Sequence, residues 1–374
     1  MIDENALIIT PFHVAANRII EHTRGPVRHG SCGQGVGQTI ADAALEGGKY
    51  AVRAKDLGDM LDFEKKLREL QRFKQRQLGE LQFSAKSLAE IESEVHVLFG
   101  AKSVESFLGR FEDFEVLADI VPSTKLAEIV NEGVTVFEGA QGVLLDQVHG
   151  FHPHVTRTDI TFTNANRLLD EARFGGSRIR IGVLRPYMTR HGAGPLVTED
   201  HHLSSDLRDA HNMAHPWQGN FRVGWFDKVA MNYALDVLGR PDCLAVTNVD
   251  RLDDITFQWK ICDGYAYNVP RALQPREFFR PHDLFADGDM VVGTTQRMIL
   301  GRGGIHRQEE LTRLLGYVRP EFRTVFHDDP DEYLKEIENS LGIPIGIISR
   351  GPTARDKEFL APYENTVGLA EMFA

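Results

Sequence analysis

A chain of 374 residues, of which 42% are hydrophobic, is long enough to bury a substantial core. Its 54 acidic against 42 basic residues give a formal charge of -12, which argues against duplex DNA or an anionic membrane as the main partner. The three cysteines form no CxxC pair and fit a reducing compartment, and neither a basic and apolar leader nor a run of 18 apolar residues occurs. We therefore expect a globular cytoplasmic protein that binds neither nucleic acid nor membrane.

The first elements are predicted from glycine punctuation and hydrophobic spacing. Residues 28–45, RHGSCGQGVGQTIADAAL, read as a glycine-rich loop that leads into a helix. Residues 60–99 repeat apolar side chains at helical spacing among alternating charges, namely Leu61, Leu67, Leu70, Phe73, Leu78 and Leu81. This stripe predicts core packing with a solvated outer face and carries no functional role.

Later elements alternate between strand and helix. Runs rich in apolar and β-branched residues predict strands at 134–140, 178–184, 243–250 and 343–349. A helix is predicted at 228–239, and a second follows an acidic surface loop within 326–342, with Asp331 as its N-cap. This alternation predicts an α/β fold with a mostly parallel central sheet and helices on both faces. We expect one elaborated domain over 1–374, with a helical subregion at 60–125.

Glycines interrupt the apolar run at 134–150, VTVFEGAQGVLLDQVHG. Gly139 and Gly142 flank Gln141, and glycine removes the β-carbon from the path of an approaching ligand. Ligands of parallel α/β sheets bind at the carboxyl ends of the strands. We therefore predict that Gln141 lies at the edge of a binding site.

Two further strands end in residues suited to guanine. VTNVD (246–250) ends in an aspartate, which is able to accept from the N1–H and the exocyclic amine of guanine. ISRGP (348–352) offers backbone N–H groups to the guanine O6. Each stretch alone is better explained as a turn or a helix cap, and only the pair together favours a guanine clamp.

Five histidines at short spacing raise the question of a metal site, namely His149, His152, His154, His201 and His202. No cysteine or carboxylate lies at a familiar ligand interval from them. We therefore predict no metal site in this chain. A general-acid role for one of these histidines stays open.

Five blocks of the sequence resemble the adenylosuccinate synthetases, in the same order. They are FEGAQGVLLDQVHGFHPHVT (137–156), RHGAGPLVTE (190–199), GWFD (224–227), VTNVDRLDD (246–254) and PIGIISRGP (344–352). The resemblance runs from about Ala6 to Pro352, with only general similarity at 60–125 and 255–340. It implies a P-loop-NTPase-like synthetase fold, a homodimer and a ligase of purine nucleotide biosynthesis. Such a ligase uses GTP and Mg2+ to join aspartate to inosine monophosphate (IMP).

The resemblance also assigns site residues. The positions that match the family's IMP contacts are Ser31, Cys32, Gln141, Thr156, His191 and Gly192. Gln141 would lie near the base, Thr156 and the Ser31–Cys32 loop at the phosphate, and the backbone of 191–193 at the ribose. The positions that match the GTP contacts are Asn248, Asp250, Ser349, Gly351 and Pro352, and Arg222 matches the loop that grips the amino-acid substrate.

The chain also departs from the family. The family's Gly-Asp-Glu-Gly-Lys-Gly-Lys loop, with its catalytic base and magnesium ligand, and its Asn-Ala-Gly-His-Thr block, with the general acid, do not occur. We expect both in a segment outside these residues, upstream or on a partner, so the catalytic residues and metal ligands are unassigned. These 374 residues alone are then expected to make negligible product.

The amino-acid loop differs as well. Residues 212–227, NMAHPWQGNFRVGWFD, replace a run of arginines of which only Arg222 is left. Gln34 stands where the family has an arginine, and Asn248 replaces a lysine. Lost guanidinium groups remove bidentate carboxylate contacts, so aspartate is less certain than the purine and GTP. A catalytically impaired nucleotide-binding homologue, or a ligase with another purine or amino donor, stays open.

Overall fold

The computed structural model describes residues 1–81, 85–209, 212–301, 304–326 and 329–360, with the side chains of 85–87, 112–113 and 115–116 excepted. The helices are α1 Pro11–Thr23, α2 Val36–Ala44, α3 Met60–Leu78, α4 Ala85–Glu90, α5 Glu92–Phe99, α6 Ser103–Leu117, α7 Thr124–Glu132, α8 Thr163–Glu171, α9 His201–Asp206, α10 Lys228–Leu238, α11 Ile305–Leu315 and α12 Pro330–Leu341. The strands are β1 Ile2–Asp3, β2 Ile120–Val121, β3 Ile181–Leu184, β4 Tyr187–His191, β5 Phe221–Asp227, β6 Cys243–Val246, β7 Lys260–Pro270, β8 Phe279–Asp287, β9 Met290–Met298, β10 Val318–Thr324, β11 Ile345–Ser349 and β12 Lys357–Phe359.

A four-stranded sheet in the order β12-β11-β6-β3 contains the parallel part of the fold. β3, β6 and β11 run parallel, and β12 closes one side as an antiparallel strand. Ile348 pairs with Val246 and Leu184 pairs with the same residue, so the three parallel strands end together. The predicted α/β class is confirmed, and the loops after these strands share one edge of the sheet.

A second sheet of six strands was not predicted. Its order is β4-β5-β7-β9-β8, with β10 also paired to β7, and only the β5–β7 pair is parallel. Along β9 buried positions alternate with less buried ones, as expected of a sheet with one packed face. No strand was predicted between 255 and 298 because this segment lacks the continuous apolar runs of the parallel strands.

The strand predicted at 134–140 is wrong, since these residues have no regular secondary structure. Val134 and Val136 are 63% and 61% exposed. β3 is the last strand of the four-stranded sheet, and its Val183 is 70% exposed. A β-branched run becomes a strand only when a neighbour completes its hydrogen-bond ladder, and among the described residues none pairs with this segment.

Two predicted details of helices also change. Leu67 and Leu70 are buried as expected, whereas Leu61 is 73% exposed at the first turn of α3. The cap of α12 is Asp329 rather than Asp331, because Pro330 occupies the first helical position and the Asp329 carboxylate accepts from the Asp331 amide. Periodicity identified these helices but not their first turns.

The buried side chains form three hydrophobic clusters. One joins the four-stranded sheet to α12, a second lies between the six-stranded sheet and α10 and α11, and a third holds α1, α3, α5 and α6 together. The helical cluster therefore includes α1, which precedes the predicted 60–125 subregion. No helix within the described ranges is long and apolar enough to cross a membrane.

Candidate functional site

Two loops leave the carboxyl ends of β6 and β11, which are hydrogen-bonded neighbours. The loop after β6 carries Asn248 and Asp250, and β11 ends at Ser349 before Gly351 and Pro352. The five residues predicted for GTP are thus brought to one edge of the sheet. Sequence reasoning placed them there because parallel strands end on the same side.

Asp250 has an acceptor available at this edge. It is exposed, and no hydrogen bond among the described residues involves its carboxylate. The facing turn is fixed from inside, because the Ser349 hydroxyl and the Lys357 ammonium both donate to the Gly351 carbonyl, at 3.2 and 2.7 Å. The edge therefore combines a rigid turn with an unoccupied carboxylate.

A second cluster forms where three loops with predicted IMP residues meet, at 28–35, 152–157 and 190–195. His154 Nδ1 lies 2.9 Å from the His29 carbonyl oxygen, which joins the first two loops. Arg190 joins the second and third loops, since its guanidinium donates to the carbonyls of His154 and Ala193 at 2.8 and 2.9 Å. A β-carbon on Gly30 would lie 3.2 Å from that of Ala193, so the first and third loops are also in contact.

The first of these loops precedes α2. The Ser31 hydroxyl donates to Asn17 Oδ1 at 2.9 Å, and Cys32 is a free, half-buried thiol. Gly35 caps α2 with φ +84°, and a β-carbon there would lie 2.8 Å from the backbone of α1. Only glycine satisfies both conditions, so the loop turns sharply and directs the α2 N-terminus toward the cluster.

The other residues predicted to bind IMP differ in burial and in their contacts with the three loops. Thr156 is half-buried, and its hydroxyl accepts from that of Thr158 at 3.4 Å. The Arg157 side chain crosses the first turn of α2, 3.6 Å from where a Gly37 β-carbon would lie. Gln141 is exposed in the irregular segment, and no hydrogen bond among the described residues ties its side chain to the three loops.

The third loop is closely covered by residues 212–222. His191 Nε2 lies 2.8 Å from Asn212 Oδ1, and its ring centre is 4.8 Å from that of Phe221. A β-carbon on Gly192 would lie 2.1 Å from the Gln218 carbonyl oxygen. The backbone at Gly192 is therefore fixed by residues 212–222, and its amide and carbonyl are already paired with the Asn220 carbonyl and with Arg222.

Arg222 is held by three internal acceptors. Its guanidinium donates to the carbonyls of Gly192 and Gly194 at 2.9 and 2.6 Å, and to Glu199 Oε2 at 2.7 Å. Two of its nitrogens therefore hold the 190–195 loop, and the third is paired with Glu199. The role of Arg222 toward an amino-acid substrate stays a prediction, and only the N–H groups outside these three bonds are left for it.

Trp217 fixes residues 212–222 on the first loop. A β-carbon on Gly33 would lie 2.8 Å from the indole Cγ, and the Arg18 guanidinium is centred 5.4 Å from the ring. Arg18 Nε also donates to the Gly33 carbonyl at 3.1 Å. His215 and Gly219 exchange backbone hydrogen bonds and close the tight turn that presents the indole.

The electrostatics of this cluster favour an anion. Burial, together with the nearby Arg222 charge, lowers the pKa of Arg190 to about 10, so this guanidinium is still charged at neutral pH. Burial also lowers the pKa of His29 and of His154, which keeps both imidazoles neutral at pH 7. The permanent positive charge therefore comes from arginines, which suit phosphate and carboxylate groups.

Sequence reasoning missed three residues of this cluster. Arg190 lies in the block 190–199 that resembles the family, and Trp217 lies in the segment 212–227 that departs from it. Both residues therefore lie in segments with a recognisable sequence signal. Glu21 had none, because it reads as an ordinary polar residue of α1. Its 0% exposure and its contacts with the first loop follow from tertiary packing.

The histidines make no metal centre in this part of the chain. Over the described ranges, no group of three or more His, Cys, Asp or Glu side chains is arranged to hold a metal ion. His152 Nε2 instead lies 2.8 Å from the Gln147 carbonyl oxygen. The described residues therefore do not fit an all-protein magnesium site.

Comparison with known proteins identifies the relatives of this chain. A family model described as adenylosuccinate synthetase matches residues 1–279. The chain is 29% identical to the adenylosuccinate synthetase of Vibrio vulnificus over 361 residues, covering 94% of this chain and 74% of the relative. It is 29% identical to that of Chlorobium luteolum over 366 residues, covering 96% and 75%. The fully ligated adenylosuccinate synthetase of Plasmodium falciparum superposes with a TM-score of 0.67 at 17% identity, covering 96% of this chain and 77% of that one, which shows a shared fold.

Proposed function

The chain belongs to the adenylosuccinate synthetase family, and from this membership we propose that it serves the GTP-dependent joining of aspartate to IMP. In this reaction GTP phosphorylates the 6-oxygen of IMP, and the amine of aspartate then displaces the phosphate. Catalysis of phosphoryl transfer rests on positioning and on electrostatic stabilisation. The observation that carries the proposal is the available Asp250 carboxylate beside the rigid Ser349–Gly351 turn.

Guanine specificity is assigned to this edge. The Asp250 carboxylate accepts from the guanine N1–H and exocyclic amine, while backbone N–H groups near Gly351 donate to O6. Asn248, at φ +60°, and Pro352 shape the walls of the clamp. An adenine ring presents the opposite pattern at these positions, so ATP is discriminated against.

The IMP site is assigned to the three-loop cluster. The loop that contains Ser31 and Cys32 receives the 5′-phosphate together with Thr156, the backbone at His191 and Gly192 faces the ribose, and Gln141 orients the base. Support comes from the contacts between the loops and from the arginine charge beside them. Gln141 is exposed, so the base end of the site is completed by groups other than those of the three loops.

The two sites are connected through one short link. β3 pairs with β6, and β4 begins at Tyr187, directly after Arg185 and Pro186. Arg185 lies 5.9 Å from the ring centres of Tyr187 and Phe221, the second of which contacts the His191 ring. The edge assigned to GTP and the loop assigned to the ribose are therefore neighbours in the chain.

Several finer points belong to this proposal. Mg2+ is expected from the family as the partner of GTP, and no step is assigned to it because the described residues form no metal site. A homodimer in the cytoplasm is expected in the same way. Another amino donor or a catalytically impaired homologue is favoured by one observation, the three internal hydrogen bonds of Arg222, and another purine stays an alternative.

Titration calorimetry tests the proposal. The purified chain is titrated with GTP, ATP, IMP and AMP at fixed magnesium and salt. We expect binding of GTP and IMP, with ATP and AMP weaker by at least roughly tenfold, the discrimination typical of unpaired polar groups in a binding site. Equal affinity for guanine and adenine nucleotides, or no binding of 6-oxopurine nucleotides, would contradict the proposal.

A further inference from the structure

Glu21 is a fully buried carboxylate of α1 that lies outside the set of residues assigned to the substrates. Its Oε2 accepts from the amides of Gly30 and Ser31 at 3.0 and 3.3 Å, and its Oε1 accepts from Arg24. An ionised carboxylate is buried at high cost unless it is paired and hydrogen-bonded. Glu21 meets that condition through the Ser31 loop itself.

The Glu21 contacts determine which donors of the loop are left for a ligand. Two successive backbone amides of a glycine-rich loop normally bind an anion. Here the amides of Gly30 and Ser31 donate to Glu21, whose exposed fraction is 0%, so they are not available to a phosphate while α1 stays packed. The groups left for the phosphate are those beyond Ser31, toward Cys32 and the α2 N-terminus.

Residues on one face of α1 hydrogen-bond to the 28–35 loop. Asn17 and Glu21 are four residues apart and lie on the same side of the helix. Asn17 accepts from the Ser31 hydroxyl, and Arg18 donates to the Gly33 carbonyl. Glu21 therefore acts with its neighbours to fix the loop at both ends.

The fixed loop in turn sets the neighbouring loops. Gly30 contacts Ala193, and the His29 carbonyl accepts from the His154 ring, whose own carbonyl accepts from Arg190. A shift at Gly30 therefore acts first on the Ser31–Cys32 loop, which is assigned to the phosphate.

We propose that Glu21 is a positioning residue for the monophosphate of the substrate, which it serves by holding the Gly30 and Ser31 amides away from the ligand while Arg24 neutralises its charge. The inference rests on the proposed function, since it assigns a determinant to that same site. It makes two separate claims, one on loop geometry and one on charge. Loss of the Glu21 acceptor releases the loop, and loss of Arg24 alone leaves a negative charge behind the phosphate.

The geometric claim is tested with IMP and with inosine, which lacks the phosphate. Glu21→Ala is expected to weaken IMP binding about tenfold, the effect of losing a charged acceptor, while inosine binding changes by less than about twofold. Glu21→Gln keeps an oxygen acceptor and is expected to stay within about threefold of the parent chain for IMP. Asp227→Asn is the matched control, because it removes a buried carboxylate away from the loop and should leave both affinities unchanged.

The charge claim is tested with Arg24. Arg24→Gln is expected to weaken IMP binding about tenfold, and Glu21→Gln added to it should restore most of that loss. GTP binding by each variant shows that the chain is folded. If Glu21→Ala proves unfolded, the Arg24→Gln and double variants decide the question by themselves.

Three results would overturn the inference. They are unchanged IMP affinity in Glu21→Ala, an equal loss for IMP and inosine, and a double variant no tighter than Arg24→Gln. A parent chain that binds GTP but neither IMP nor inosine would contradict the IMP site itself. That failure is distinguishable because it appears before any substitution is made.

Discussion

Asp250 is the residue on which the proposed guanine recognition depends most directly. Asp250→Asn removes a charged acceptor, and we expect GTP binding to weaken by roughly 1.5–3 kcal/mol. Xanthosine triphosphate carries an oxygen where guanine has its exocyclic amine, and the amide of the variant donates to that oxygen. The preference between the two nucleotides should therefore shift toward xanthosine triphosphate in competition titrations.

Asp253→Asn is the control for Asp250. Asp253 lies three residues further along the same 3-10 turn and is exposed. Like Asp250→Asn, the Asp253→Asn variant loses one negative charge, but it leaves the residues of the proposed clamp intact. GTP affinity should therefore be retained. Equal GTP affinity for Asp250→Asn and the parent chain would remove the clamp from consideration.

Gln141 is predicted to orient the base of IMP. Gln141→Ala should weaken IMP binding by roughly 0.5–1.5 kcal/mol, the net value of a hydrogen bond, and leave GTP binding unchanged because the two sites share no partner. Gln147→Ala is a matched control, since Gln147 is exposed nearby and its contact with His152 uses only the backbone. A parallel loss of both nucleotides in titration calorimetry would indicate general destabilisation instead.

At the scale of one element, α10 begins with an unusual cap. Asp227 is buried, accepts from the Ala230 amide at 3.0 Å and accepts from the Tyr265 hydroxyl at 2.6 Å. Burial raises its pKa to about 6 despite these hydrogen bonds. The carboxyl is therefore protonated in the folded state at pH values where it is ionised in the unfolded chain.

The sign of the resulting pH dependence follows from linkage. Between the unfolded pKa near 4 and the folded pKa of about 6, the folded state binds more protons, so stability falls as pH rises. Asn at position 227 keeps an oxygen acceptor and does not titrate. The unfolding free energy of the parent relative to Asp227→Asn should decline by roughly 2 kcal/mol from pH 4.5 to 7 in urea titrations. A difference that is constant with pH would contradict this.

At the scale of the whole molecule, Trp217 connects the helical cluster to the rest. Among the described residues of that cluster, all but Trp217 lie at or before residue 120 in the sequence. Trp217→Ala should destabilise the helical cluster by roughly 2–3 kcal/mol, less than for a fully buried indole because the ring is half-buried. Hydrogen exchange is then expected to accelerate in α1 and the 28–35 loop and to stay unchanged in β6 and β11.

Met213→Ala is the control for Trp217, because Met213 belongs to the same loop and is 71% exposed. It should leave exchange unchanged throughout. Faster exchange in β6 and β11 of Trp217→Ala would show that the clusters unfold together, which would contradict the role given to the indole.

The sequence by itself determined the parallel strands, the helices with a clear apolar stripe and the grouping of Asp250 with Ser349 at one edge of the sheet. β6 and β11 are continuous apolar runs, and a parallel strand buried on both faces requires such a run. The residues after these strands were correctly grouped because strand direction alone places their ends together. The family was also recognisable from contiguous blocks, which need no tertiary information.

Only the tertiary structure decided the rest. Residues 134–140 have the composition of a strand and yet stay irregular, since a ladder depends on a partner that local sequence does not encode. Arg222 has the residue type of a ligand contact, but three acceptors distant in sequence occupy its guanidinium. Glu21 became part of the site because folding placed it against Gly30, nine residues away. Hydrogen-bond partners of this kind are set by packing between elements, whereas periodicity reports only on the element itself.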